Sequence, residues 1–87
     1  MLTKQLKPGT IIGNPDSPRT VIISTLINEG GDGSYPVYIA VAHDPEAYHQ
    51  YVVWYVADRP DGWLAESGEY FHDAKDAIIN WQQKGGK

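Results

Sequence analysis

A chain of 87 residues without cysteine has room for one small core held by packing alone, with no second domain, disulfide, thiolate metal site or cysteine nucleophile. Its net charge of −4 is uneven: three acids balance three bases as far as His43, whereas residues 44–81 carry eight acids against Arg59 and Lys75, a local excess of −6. That excess argues against direct nucleic-acid binding, because neutralising phosphates needs clustered Lys and Arg, and it makes a basic protein surface the natural complement.

No apolar run approaches the length of a membrane span, and the N-terminal MLTKQLKPG lacks the apolar segment of a secretory signal. The expectation is a soluble, cytoplasmic protein that is not membrane-bound. Three tryptophans, six tyrosines and one phenylalanine supply the core with large areas on few rotatable bonds.

In chain order, the turn Lys7-Pro8-Gly9 leads into Thr10-Ile11-Ile12-Gly13, a short edge strand. Asn14-Pro15-Asp16-Ser17-Pro18 ends it, since two prolines fix φ and remove backbone donors. RTVIISTLIN, Arg19–Asn28, is rich in β-branched residues and predicts a strand with Val21, Ile23, Thr25 and Ile27 buried on one face. The loop EGGDGS follows. It runs into strand-like sequence instead of a helix N-terminus, so a hairpin loop fits better than a phosphate cradle.

Residues 35–42, YPVYIAVA, predict a central strand by their nearly continuous apolar character. Small Ala40 and Ala42 share a face with Tyr38 and leave room there for a bulky group. In residues 43–50, Asp44 can cap and Pro45 can open a single helical turn. YVVWYV, the turn signal Asp58-Arg59-Pro60-Asp61-Gly62 and the run from Trp63 to Phe71 then predict a hairpin, with Gly68 as a bulge or second bend. Asp73 and Asp76 resemble a capping box, and Ala74, Ala77, Ile78 and Trp81 form one apolar stripe of a helix closed by Gly85-Gly86. Trp81 is its main anchor. It is expected to fill the space over Ala40 and Ala42, on the face that carries Trp54 or its neighbours.

The fold class is therefore α+β: an antiparallel meander of about five strands with one C-terminal helix packed on one face, or alternatively a partly closed small β-barrel with the same helix. Residues 1–87 form one domain.

Four constellations could carry chemistry. His43, Asp44, Glu46 and His49 are the densest set of metal-ligand types, with His43, Asp44 and His49 the weak candidates for a metal, but the spacing matches no signature and a solvated loop explains it. Ser67, His72 and Asp73 have the types of a catalytic triad without a nucleophile elbow. Glu66 and Glu69 are a carboxylate pair of the kind an acidic segment produces by chance. No catalytic residue and no cofactor is therefore expected. The aromatic set Tyr48, Tyr51, Tyr55, Trp63 and Tyr70 carries more weight. Pairing in the hairpin is expected to put Tyr51, Tyr55 and Trp63 on the face away from the helix, rimmed by Asp58, Asp61, Glu66 and Glu69, as a surface for a basic protein partner. The competing reading is a second small core covered by the N-terminal strand.

The strand YVVWYV, the turn RPDGW and the passage SGEYFHDAKDAIINW, within the last 37 residues, resemble small single-domain orphan proteins of phages and mobile elements. The resemblance implies a non-enzymatic protein that binds a host protein, in some cases a component of a defence system such as CRISPR, in the host cytoplasm. It carries no set of catalytic residues. A small-ligand or metal-binding protein or minor enzyme using residues 43–49, and a structural component acting as a homodimer through an exposed edge strand instead of as a monomer, are the alternatives.

Overall fold

The computed structural model describes residues 5–13 and 18–87. At its centre lies β3 (Val37–His43), flanked by β2 (Arg19–Asn28) and β4 (Tyr51–Arg59), with β1 (Ile11–Ile12) and β5 (Gly62–Phe71) at the two edges. All neighbours are antiparallel, so the five strands form the expected meander, and α1 (Ala74–Gln83) follows as the one helix among the described residues. The predicted turn at residues 14–17 lies outside the described residues. β3 starts at Val37 and not at Tyr35, because Pro36 has no N–H for the ladder; its carbonyl instead accepts from Asp58 N at 2.8 Å.

The sheet is curled into a half-barrel. Irregularities in both β2 and β5 bend it: Ile22 and Ile27 are each an extra residue opposite β3, and Ser67 and Gly68 together stand opposite Trp54. Curling brings non-neighbouring strands together on one side. The Arg19 guanidinium of β2 lies 5.4 Å from the centroid of the Tyr70 ring of β5, across two intervening strands, and Ile12 of β1 borders the same cleft as Trp63 and Tyr70. That side is the concave face.

Each face has its own core. On the concave face Val21, Tyr38, Ala40, Ala42, Val52, Trp54 and Val56 are buried with Leu6 and Ile12 from the N-terminal segment. On the convex face Ile39, Val41 and Val53 are buried under Ala77 and Trp81 of α1. The strand alternation thus sends Trp81 to the odd-numbered face of β3, and not to the space over Ala40 and Ala42 or the face of Trp54 as the sequence suggested. Trp54, Leu6 and Val21 share that space instead. The expectation of one buried odd face in β2 also fails, because the extra residue at Ile22 inverts the alternation: Val21 opposes Ala42 on the concave side, while Ile23 and Thr25 oppose Val41 and Ile39 on the helix side.

Residues 43–50 form a closed turn and not a helical one. Asp44 Oδ1 accepts from Glu46 N at 3.0 Å, and Asp44 N donates to Gln50 O at 2.8 Å. Asp73 occupies the N-cap of α1 with extended backbone but makes no side-chain capping bond, so its contribution is confined to the helix dipole. The C-terminus is fully capped: Gly86 N donates to Trp81 O at 2.9 Å and Gly85 N to Gln82 O at 3.2 Å, with Gly85 at φ 112, the left-handed geometry of a Schellman motif.

Candidate protein-binding surface

The concave core is covered only in part. Leu6 and Ile12 close it on the β2 side, with Leu6 held in place by Gly9 N donating to Val21 O at 2.7 Å and by the Ser24 hydroxyl bonded to the Leu6 carbonyl. On the β5 side a cleft of about 380 Å³ remains, lined by Ile12, Trp54, Trp63, Leu64, Ala65 and Tyr70. β5 has β4 on one edge and no strand on the other among the described residues. The outward-facing backbone donors and acceptors of a ten-residue strand therefore border an aromatic cleft.

The two indoles are positioned by small neighbours and by each other's surroundings. Trp54 sits opposite Ala40 on β3 and against Gly68 on β5, where a Cβ would lie 2.8 Å from its Nε1. The bulge at Ser67, with φ 57, brings that glycine opposite the indole. Trp63 is fixed by an edge contact with Tyr38, ring centroids 5.8 Å apart at 84°. Tyr70, half exposed, completes the wall beneath the Arg19 guanidinium.

The residues expected to form one patch are divided between two faces. Trp63 and Asp58, paired across the hairpin, belong to the concave side, and Asp61 lies at the hairpin tip. Tyr51, Tyr55, Glu66 and Glu69 belong to the convex side, where Tyr51 and Tyr55 flank α1 and are half-buried against its core. Tyr51 and Tyr55 therefore do not share a face with Trp63, and they lie on the helix side and not away from it. The cause is the docking of α1 on the odd-numbered face, which the period of the strand alone does not specify. Ile12, Trp54 and Ala65 were not singled out for this surface. A glycine in β5 opposite a tryptophan was the available signal for them, because a large side chain needs a gap in the neighbouring strand.

The acidic rim is partly neutralised. Lys84 Nζ lies 2.6 Å from Glu69 Oε1 and 5.5 Å from the centroid of the Tyr55 ring, and Asn80 Nδ2 donates to the same carboxylate at 3.2 Å. The hydrogen bond from Lys84 holds the Glu69 carboxyl below the usual carboxylate range and raises the Lys84 ammonium above its own. Asp61 is 3.7 Å from the Arg59 guanidinium. Glu66, on the free-edge strand, makes no ion pair among the described residues.

The histidine-containing loop separates its own candidates. His43 stacks on Tyr51, centroids 4.6 Å apart, while His49 packs 4.4 Å from the ring of His72, and the Asp44 carboxylate is engaged by Glu46 N. Among the described residues no three His, Asp or Glu side chains converge as metal ligands. His72 directs Nδ1 to the Tyr48 carbonyl at 3.1 Å and not to Asp73, so the triad types near Ser67 do not assemble as a relay. No described helix is long and apolar enough to cross a membrane.

No protein family, curated protein or solved structure matches this chain.

Proposed function

We propose that this protein is a non-enzymatic binding module that accepts an extended, basic segment of a partner protein along the free edge of β5. The single observation that carries this reading is the juxtaposition of that unpaired edge with the cleft of Trp54, Trp63 and Tyr70. A strand added to a sheet edge gains affinity from main-chain hydrogen bonds and specificity from side chains that enter pockets at alternate positions. Alternate residues of such a segment would reach the aromatic cleft, and the others would meet Glu66 on the convex side.

Charge supports a foreign partner over a second copy. Antiparallel pairing of two β5 edges would bring exposed Glu66 of one copy towards the acidic strand of the other, and like charges across a ladder are unfavourable. A Lys- or Arg-bearing strand meets the opposite situation. The resemblance of the C-terminal segment to small proteins of phages and mobile elements suggests a host factor as the partner, and modulation of that factor as the outcome.

A library of extended peptides, screened against the whole chain, tests the proposal. Sequences alternating basic and apolar residues should be enriched, should shift the β5 backbone amides and the Trp54 and Trp63 indole resonances in NMR spectra, and should bind Glu66→Lys more weakly. Shifts confined to α1 or β1, or light scattering that reports a dimer through β5, would remove the edge from consideration as a heterotypic site.

A further inference from the structure

We propose that His49 and His72 form a binding site for a divalent transition metal ion of the zinc or copper class, with water completing the coordination. The site shares only His49 with the loop set of His43, Asp44 and His49, because the turn at residues 43–50 sends His43 to Tyr51 on one side and His49 to His72 on the other.

Chemical and geometric observations converge there. The two imidazoles are neighbours, 4.4 Å between centroids and inclined at 45°, although they come from segments on either side of β4 and β5. His72 Nδ1 donates to the Tyr48 carbonyl at 3.1 Å; a carbonyl only accepts, so Nδ1 carries a proton and Nε2 is the ring nitrogen left to ligate an ion. A ring nitrogen bonded to a main-chain oxygen while the other is free is the arrangement that orients metal-ligating histidines. His49 Nδ1 is inaccessible to solvent and has no hydrogen-bond partner, a cost that rotation of the ring towards an ion held beside the exposed His72 would relieve.

The surroundings hold the rings in place. Tyr48 packs edge-on against both, at 4.8 and 4.9 Å. Arg19 donates to the carbonyls of His49 and Gln50, each at 2.9 Å, and thereby fixes the main chain that carries one ligand. Its charge opposes a dication, but it is directed to two carbonyls and the face of Tyr70, within a segment of net acidic character. Imidazole nitrogen suits zinc, copper and nickel over magnesium or calcium.

Zn²⁺ alone, titrated into the full chain and followed by calorimetry and by the histidine ring resonances, decides the matter. Saturation at one ion per chain is expected, with His49 and His72 shifted and His43 unmoved. His49→Gln and His72→Gln should each weaken binding by at least about tenfold, and His43→Gln should leave it unchanged. Absence of saturable binding, or equal loss in His43→Gln, overturns the site. Should His49→Gln lose its fold by circular dichroism, the exposed His72→Gln decides alone. Peptide capture by β5 plays no part in this measurement, so either proposal can fail without the other.

Discussion

The indole N–H of Trp81 donates to the main-chain oxygen of Ile39 across 2.8 Å, and both residues are sealed from solvent. This bond ties the last element of the chain to the middle of its central strand. Trp81→Ala removes the largest fully buried side chain among the described residues and leaves a cavity over Ile39, Val41 and Val53, so a loss of about 3 to 5 kcal/mol is expected in urea unfolding. A loss under about 1 kcal/mol would mean that α1 does not dock as described.

Gly86 lies flat on the indole of Trp81, and a Cβ there would overlap the ring atoms Cδ2 and Cε2. Gly86→Ala is expected to lift the tail from the ring, with loss of the bond from Gly86 N to Trp81 O and of the mutual bonds between Lys87 and Thr25. The cost should be about 1 to 3 kcal/mol, and faster exchange of the Gly86 amide should accompany it. An alanine variant as stable as the wild type would contradict the close approach.

Gly68→Ala tests the seat of Trp54. The added methyl would meet Nε1 at 2.8 Å and Val52 Cγ2 at 3.2 Å, so the indole or the bulge must shift. About 1 to 3 kcal/mol of destabilisation is expected, together with a changed near-ultraviolet dichroism from Trp54. Because Trp54 lines the cleft, the same change should weaken peptide binding more than it lowers the melting temperature would explain.

The bond between Lys84 and Glu69 makes stability depend on pH at both ends of the range. Glu69 has its folded pKa lowered, so its contribution is present above the ordinary carboxylate pKa and is lost as pH falls through the lowered value. Lys84 has its folded pKa raised, so its contribution is full below the ordinary ammonium pKa and is lost as pH rises through the raised value. The pair is solvent-exposed and its effect is small. Chemical unfolding of the wild type and Glu69→Gln should differ at neutral pH and converge in strong acid; a difference that persists there would assign the effect to packing.

The sequence by itself determined the elements. Runs of β-branched and aromatic residues, the Arg59-Pro60-Asp61-Gly62 turn and the closing glycines depend on local backbone preferences, and the observed β2, β4, β5 and α1 follow them. The bulge at Gly68 was legible for the same reason. What the tertiary structure decided is which face each side chain serves. One extra residue at Ile22 reverses the alternation of β2, and α1, whose stripe fits either face of an apolar sheet, docks on Ile39 and Val41 instead of Ala40 and Ala42. That choice places Tyr51 and Tyr55 beside the helix and leaves Trp54, Trp63 and Tyr70 to line the cleft. The meeting of Arg19 with Tyr70 depends on the curl of the whole sheet, a long-range property that no local pattern encodes, whereas His49 meets His72 because the pairing of Tyr51 with Phe71 brings the two ends of the hairpin together.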